Sequence, residues 1–366
     1  MIELANLYRQ YEIIKPEIDD AINRVIKSSR FVGGEEIERF EEHFAGYTGA
    51  NFCIAVANGT DALEIAIAAL GLKDKYIVVP AMSAAPTVEA VVRTGNEPIF
   101  CDIDSTMTMD PDEFERIVDE ELISAVIPVH LYGAPANMEK IMQIANLNDI
   151  AVIEDCAQAH GSKIKNQHVG TFGKLGCFSF YPSKNLGAFG DGGAIITDSC
   201  ALSVTCRMIR NHGRLNKYDH HMVGRNSRMD TIQAAILDVK LPYLKASVLA
   251  RRYNAITYDE YLDGICIKPH WRRGDMNYTY HQYPVLVRER DKLLKTLLEH
   301  GIKAGVHYPF ALPELPPYHH YISGNCLVAK AVAKQEISLP VHDLLTTTDI
   351  IRVARVVKEH CKETVF

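Results

Sequence analysis

The chain has 366 residues, of which 47% are hydrophobic and 23% are charged, which is ordinary usage for a globular protein and enough for two hydrophobic cores. Its formal net charge is −7 and no block of like charge is present, which argues against nucleic acid as a partner. No apolar run approaches the roughly 20 residues that span a bilayer, and the N-terminus lacks the pattern of a secretion signal.

The cysteines indicate a reducing compartment. Nine are scattered along the chain, an odd number, and most lie inside apolar runs: Cys53, Cys101, Cys156, Cys177, Cys200, Cys206, Cys266, Cys326 and Cys361. This usage is typical of reduced core residues, so we expect a cytoplasmic protein without a membrane segment.

The first half of the chain alternates strand-like and helix-like segments. Between the strands lie helical patterns such as "MDPDEFERIVDEE", in which Asp110 is a suitable N-cap and Pro111 falls in the first turn. The strand-like runs are apolar throughout, which is typical of strands covered on both faces in an α/β sheet with much parallel pairing. They are "YIVVP" (76–80), "EPIFCDID" (97–104), "SAVIPVHLYG" (124–133), "IAVIEDC" (150–156), "GCFSFY" (176–181) and "GGAIITD" (192–198).

The pattern changes after about residue 240, so we predict a large domain of residues 1–240 and a smaller α+β domain of residues 241–366. The segment "LPYLKASVLARRYNAITYDEYL" predicts a long connecting helix, and "NYTYHQYPVLV" alternates as a half-exposed strand would. In the final helical pattern the residues on one face are apolar: Ile350, Val353, Ala354 and Val357.

Polar groups follow several of the predicted strands, where ligands bind in open α/β sheets. Glu154 and Asp155 end a buried strand, and a carboxylate there costs several kcal/mol unless a cation or a hydrogen-bond donor meets it. Gly59 and Thr60 precede an apolar helix whose N-terminus is suited to phosphate. The run "GCFSFYPSK" brings Ser179 and Lys184 to the same edge.

An acid, a phosphate seat and an isolated lysine together suit pyridoxal phosphate (PLP). The lysine amine bonds to the aldehyde, amides and hydroxyls hold the phosphate, and a carboxylate keeps the pyridine nitrogen protonated. Taken singly, each has a plainer explanation: Lys184 as a turn lysine, Gly59 and Thr60 as a helix cap, and Asp155 as a structural acid.

Other cofactor motifs fit poorly. The run "GAFGDGG" does not match G-x-G-x-x-G and does not open a helix, and the chain contains no P-loop sequence. The adjacent histidines of "DHH" (219–221) lack the spaced further ligands of a zinc site, so we expect no metal.

The chain resembles the DegT/DnrJ/StrS family of PLP-dependent sugar aminotransferases over almost its whole length. The resemblance rests on an ordered set of segments: "FVGGEEIERFEEHFAGYTGA", "ANGTDAL", "EDCAQAHG", "FSFYPSKNLGAFGDGGA", "RNHG", "GRNSRMDTIQAAIL", "VHYP" and "SLPVH". It implies the type I, aspartate aminotransferase-like fold, in which a large domain with a mainly parallel seven-stranded sheet precedes a smaller α+β domain.

The resemblance also implies roles for individual residues. Lys184 would bond to the cofactor and later move the proton, Asp155 would pair with the pyridine nitrogen, and Gln158 would meet the phenolic oxygen of the ring. The remaining implied cofactor contacts are with the phosphate, from Gly59, Thr60 and Ser179 and from Asn226 of the other subunit of a homodimer. Sugar-side candidates are Tyr181, His307 and Tyr308; a packed interface residue is the alternative for His307.

Two segments depart from the family pattern. Ala84, in "PAMSAAPT", stands where the family usually has an aromatic residue that stacks on the pyridine ring. The usual "GDEV" turn is replaced by "KDKYIV", which we expect to be a surface change.

By resemblance, the expected reaction moves an amino group from L-glutamate to a nucleotide-linked keto-sugar, in surface-polysaccharide (lipopolysaccharide O-antigen) or antibiotic sugar synthesis. Tyr181 stands where enzymes that aminate C4 usually have histidine, which favours C3. A C4 enzyme and an enzyme acting on a smaller ketone stay open. A dehydratase of the same family is disfavoured because such enzymes replace the lysine, and a non-catalytic regulator is disfavoured by intact Lys184, Asp155 and Gln158.

Overall fold

The computed structural model describes residues 1–269, 276–322 and 324–363. Its helices are α1 (Leu7–Ile13), α2 (Lys15–Ser28), α3 (Glu35–Thr48), α4 (Gly59–Ala69), α5 (Ala85–Arg93), α6 (Pro111–Glu120), α7 (Met138–Leu147), α8 (Cys200–Arg210), α9 (Thr231–Lys240), α10 (Leu244–Tyr261), α11 (Arg290–Glu299), α12 (Leu327–Gln335) and α13 (Thr347–Glu363). Short 3-10 helices lie at Leu131–Gly133, Leu241–Tyr243 and Leu312–Glu314.

The strands form one large sheet and three small ones. They are β1 (Phe52–Val56), β2 (Tyr76–Pro80), β3 (Glu97–Cys101), β4 (Ile123–Val126), β5 (Ala151–Asp155), β6 (Lys163–Ile164), β7 (Gln167–His168), β8 (Leu175–Ser179), β9 (Gly193–Thr197), β10 (Arg214–Asn216), β11 (Asp219–His220), β12 (Met276–Asn277), β13 (Tyr283–Leu286) and β14 (Glu336–Leu339). The large sheet has seven strands in the order β1-β9-β8-β5-β4-β2-β3. Pairing is parallel from β8 to β3 and antiparallel where β9 joins β8 and β1.

The unbroken apolar strands are covered on both faces, as the sequence predicted. Neighbouring residues of one strand enter different cores: Ile77 and Val79 pack in one cluster, whereas Val78 packs in another. The parallel arrangement, the helix α6 and its N-cap Asp110, which accepts a hydrogen bond from the Asp112 amide, are likewise confirmed. The run 124–133 is strand only at its start, because a 3-10 turn follows at Leu131–Gly133.

The C-terminal part has a core of its own, built from β13, β14 and one face each of α10, α11 and α13. The predicted connecting helix is α10, and the apolar face of α13 is buried as expected. The prediction of a half-exposed strand at 277–287 is wrong, because β13 is short and Tyr283, Pro284 and Val285 are buried. Ala311, Leu312, Ala329 and Val332 pack in the core of the large sheet, and the boundary at residue 240 stays a prediction.

Several surface expectations can be compared with the structure directly. Lys73, Asp74 and Lys75 are exposed, in agreement with a surface change at "KDKYIV". Cys200 is exposed and Cys266 is partly buried, whereas the other cysteines are buried. Among the described residues, no helix combines the length and the apolar character needed to cross a membrane.

Candidate active site

Lys184 lies in the turn that follows β8. Its backbone N–H donates to the carbonyl of Tyr181, 2.8 Å away, which fixes the turn. Burial lowers the pKa of the Lys184 amine to about 8, while the negative charge of Asp155 raises it. A useful fraction of the amine is therefore neutral near physiological pH, as a nucleophile or base requires.

Asp155 ends β5 and is only 5% exposed. Its Oδ2 accepts a hydrogen bond from the Thr87 hydroxyl at 2.9 Å, and its Oδ1 accepts one from the Ala157 amide at 3.1 Å. Burial raises the pKa of Asp155, and these two hydrogen bonds and the charge of Lys184 lower it. The expected partners of a buried strand-end carboxylate are thus present.

The neighbouring Glu154 is a structural acid. Its carboxylate accepts hydrogen bonds from the amides of Gly170, Phe172 and Gly173 at 2.7–2.8 Å. His130 Nδ1 accepts from the Ala136 amide, so His130 Nε2 carries the hydrogen and donates it to Glu154 at 3.0 Å. Glu154 therefore fixes the loop between β7 and β8 and has no capacity left for a ligand.

Gln158 has a defined amide orientation. Its Oε1 accepts from the backbone N–H of Tyr132 at 2.6 Å, so its Nε2 must face the other way. This nitrogen donates one hydrogen to the Tyr308 hydroxyl at 3.1 Å. Because an amide nitrogen carries two hydrogens, the second is available to an oxygen of a ligand.

The start of α4, where the sequence predicts a phosphate-binding site, lies close to the end of β8. Asn58 caps the helix by accepting from the Asp61 amide, and the amides of Gly59 and Thr60 precede the first intrahelical hydrogen bond. A side chain on Gly59 would place its Cβ 2.7 Å from Ser179 Cβ, so only glycine allows this contact between α4 and β8. Ser179 Oγ is 3.2 Å from the same point.

Three neutral histidines surround Lys184. Burial first, and the charge of Lys184 second, lower the pKa of His160 to about 3 and that of His307 to about 4. The pKa of His281 is lowered by the same two causes. These imidazoles offer lone pairs and single N–H donors beside the lysine rather than additional positive charge.

The remaining candidates lie at the edge of this group. Tyr181 is 56% exposed, and its backbone N–H is 3.4 Å from Ser179 Oγ. Asn226 lines a cleft of about 550 Å³ together with Asn58, Gly190 and Arg228. Ala84 is the N-cap of α5 and is only partly buried, so its methyl group stands where the family pattern has an aromatic ring.

Sequence reasoning missed four residues that hold this site together: Thr87, Tyr132, His281 and Glu336. Thr87 binds Asp155, and the Tyr132 hydroxyl binds the carbonyl of His307. Only Glu336 had a visible signal, since it is an acid directly before the apolar run "ISLPV". The other three are ordinary residues whose role depends on contacts between distant parts of the chain.

The donor set fits PLP and defines the class of protein. A partly neutral lysine, a buried carboxylate within reach of its charge, an amide donor beside a tyrosine, and a helix N-terminus that a Cβ would obstruct are what this cofactor requires. Lys184 would bind its aldehyde carbon, Asp155 its pyridine nitrogen and Gln158 its phenolic oxygen. Gly59, Thr60 and Ser179 would bind its phosphate.

The chain belongs to the DegT/DnrJ/EryC1/StrS aminotransferase family, whose model matches residues 12–358. The enzymes of this family are PLP-dependent sugar aminotransferases, and the chain is an aminotransferase of that kind. The fold agrees: a DegT/DnrJ/EryC1/StrS aminotransferase from Brucella abortus is similar with a TM-score of 0.95 and 33% identity, over 98% of this chain and 99% of that one.

Three named relatives are similar to the chain over most of its length. The chain is 37% identical to the UDP-2-acetamido-2-deoxy-3-oxo-D-glucuronate aminotransferase of Pseudomonas aeruginosa, over 96% of this chain and 98% of the relative. It is 36% identical to the UDP-N-acetyl-3-dehydro-alpha-D-glucosamine 3-aminotransferase of Acidithiobacillus ferrooxidans, over 98% and 97%. A protein of Geobacillus stearothermophilus named pleiotropic regulatory protein is 40% identical over 93% of both chains.

Proposed function

We propose that this protein transfers an amino group from L-glutamate to C3 of a nucleotide-linked keto-sugar. The observation that carries the proposal is the half-buried, partly neutral Lys184 beside Asp155, in a chain of the sugar aminotransferase family. The choice of L-glutamate as donor is supported by the family resemblance alone.

The side chains of the site have separate tasks in this proposal. Bound PLP supplies an electron sink for a substrate carbon attached to nitrogen. Lys184 Nζ removes the proton from the donor carbon and returns it to a different atom. The lowered pKa of the lysine amine permits this role. Asp155 keeps a positive charge on the pyridine nitrogen, and its buried hydrogen bonds hold it in place. Gln158 Nε2 and the amides of Gly59 and Thr60 orient the cofactor.

Amination at C3 is favoured by two lines of support. The two relatives named for their sugar substrates carry a 3-oxo or 3-dehydro group in those names. Tyr181, rather than histidine, follows β8 at the position that distinguishes the C4 branch. Tyr181, His307 and Tyr308 are the residues we assign to the sugar side of the site.

The active unit in this proposal is a homodimer. The family resemblance implies that Asn226 reaches the phosphate of the other subunit. Asn226 is exposed and lines an open cleft with Asn58 and Arg228, so a second chain can reach it there. The exposed apolar side chains of the β10–β11 hairpin, Leu215 and Tyr218, support an interface on this side.

The position of amination is tested by product analysis. The purified holoenzyme is incubated with L-glutamate and one acceptor. The acceptor is a UDP-linked 3-keto-sugar, a UDP-linked 4-keto-sugar or a small ketone, each in a separate reaction. We expect nitrogen at C3 of the product, located by NMR, and no product from a Lys184→Ala control. A product aminated at C4, or turnover of the small ketone alone, would overturn the proposed substrate.

A further inference from the structure

The imidazole of His307 is held at one edge by two residues of β14. Ser338 Oγ lies 2.9 Å from His307 Nδ1, and it lies 2.5 Å from Glu336 Oε1. The second oxygen of Glu336 accepts the backbone N–H of His307 at 2.6 Å. Glu336 and Ser338 are two residues apart on a strand, so their side chains share one face, and both are fully buried.

The chemistry of these groups fixes the direction of each hydrogen bond. An ionised carboxylate only accepts, so the Ser338 hydroxyl must donate its hydrogen to Glu336. The lone pair of Ser338 Oγ then faces His307 Nδ1, which must carry a hydrogen. A neutral imidazole has one N–H, so His307 Nε2 presents a lone pair, and its contact with Gln282 Nε2, at 3.5 Å, is at the long limit of a hydrogen bond.

We infer that Glu336, acting through Ser338, is a positioning residue that holds His307 in the Nδ1–H form, so that Nε2 accepts a hydrogen bond from a hydroxyl of the sugar. This inference rests on the proposed function and adds a recognition element to it. A sugar hydroxyl has a hydrogen to give, whereas the carboxylates of L-glutamate have none and its amino nitrogen is the group that is transferred. The hydrogen bonds among Glu336, Ser338 and His307 therefore support binding of the keto-sugar and leave the reaction with the amino donor unaffected.

These hydrogen bonds are also sensitive to pH. Burial raises the pKa of Glu336 to about 7, and hydrogen bonds from Ser338 and His307 and the charge of Arg290 lower it. The other titratable groups facing it are the hydroxyls of Tyr132 and Tyr308. A protonated Glu336 can donate a hydrogen bond to Ser338, which reverses the direction of the hydrogen bonds that run from His307 through Ser338 to Glu336. Binding of the sugar therefore weakens as pH falls through about 7.

The variant Glu336→Gln reverses the direction of these hydrogen bonds without changing the shape of the side chain. The backbone N–H of His307 needs an oxygen opposite it, so the amide nitrogen of the variant faces Ser338. Ser338 then accepts from this nitrogen and donates to His307 Nδ1, which moves the hydrogen to Nε2. The lone pair offered to the sugar is lost.

The test uses holoenzyme labelled with ¹⁵N-histidine, in which a His307→Gln spectrum assigns the His307 signals. We expect a protonated Nδ1 in the wild type and a protonated Nε2 in Glu336→Gln. The KM for the keto-sugar should rise about tenfold, the loss of one hydrogen bond of about 1.4 kcal/mol, while the rate with L-glutamate changes less than about twofold. Sugar binding in Glu336→Gln should also lose its dependence on pH near 7.

Two further variants keep the inference falsifiable. Ser338→Ala removes the hydroxyl that joins Glu336 to His307, and it should weaken binding of the sugar but not of L-glutamate. This variant replaces Glu336→Gln if Glu336→Gln fails to fold. Glu314→Gln is the matched control, because Glu314 also accepts a backbone N–H, that of Ala311, but does not contact His307. A protonated Nδ1 retained in Glu336→Gln, or equal losses with glutamate and sugar, would overturn the inference. A wild-type protein that reacts with neither substrate would overturn the proposed function instead. The histidine spectra would still show which nitrogen of His307 is protonated.

Discussion

The Thr87 hydroxyl supplies one of the hydrogen bonds that favour the ionised form of Asp155. It donates to Asp155 Oδ2 at 2.9 Å, and Ser83 Oγ contacts Thr87 Oγ1 at 2.8 Å, so a short chain of hydroxyls leads to the carboxylate. A hydrogen bond to the ionised form lowers the pKa of a buried carboxyl group. Asp155 depends on it because burial acts in the opposite direction.

Replacement of Thr87 by valine should therefore weaken PLP binding. Loss of a hydrogen bond to a charged group costs about 1.5–3 kcal/mol, so we expect a Kd for PLP roughly ten to a hundred times higher, measured by absorbance titration. Thr87→Ser should restore most of the affinity. Thr94→Val is the control, because the Thr94 hydroxyl contacts the carbonyls of Ala90 and Val91 and the side-chain amide nitrogen of Asn96 rather than Asp155. Equal affinities of Thr87→Val and the wild type would show that this hydroxyl does not support Asp155.

At the scale of elements, the sequence predicted the strands well where their surroundings are uniform. β2 has the predicted ends, β3, β5 and β9 lie within their predicted runs, and β8 begins one residue before its run, because strands buried on both faces need continuous apolar residues. β13 was misjudged because alternation in "NYTYHQYPVLV" came from residues whose burial depends on α10 and β14, far away in sequence. Motifs identify Lys184, Asp155 and Gln158 as candidates. The hydrogen bond that Thr87 donates to Asp155 and the one that Glu336 accepts from His307 join distant segments and could not be predicted.

The junction of α4 with β8 gives a test at this scale. In Gly59→Ala, the added Cβ would be 2.7 Å from Ser179 Cβ and 3.2 Å from its Cα, so the start of α4 must move away from β8. We expect more than a tenfold loss of PLP affinity, because the seat depends on this approach. Gly46→Ala, an exposed position in α3 with no atom within 4 Å of the new Cβ, should bind PLP normally and gain roughly 0.5–1 kcal/mol of stability. Normal binding by Gly59→Ala would contradict the assigned seat.

For the whole molecule, the site places a lysine where folding disfavours its charge. The pKa of Lys184 is lowered to about 8 in the folded chain, against about 10.5 when exposed. Between these values the unfolded chain binds more protons than the folded one, so stability rises with pH in that range. Below about pH 8 the full penalty of the buried charge remains.

Cofactor-free Lys184→Met should show this penalty directly. We expect its Tm to exceed that of the cofactor-free wild type by about 2 °C at pH 7, and the difference should shrink as pH rises from about 8 to 10.5. Lys174→Met, at an exposed lysine just before β8, is the control and should show no such pH-dependent difference. A gap that stays constant across this range would mean that Lys184 is not desolvated as described.

The central claim is that Lys184 carries the cofactor, and chemical trapping tests it most directly. Holoenzyme is treated with borohydride, which makes the bond between the lysine nitrogen and the cofactor permanent, then digested and analysed by mass spectrometry. We predict one modified lysine, Lys184, in the peptide that follows β8, and no modified peptide from Lys184→Ala. Label on a different lysine, or none in a protein saturated with PLP, would contradict the account.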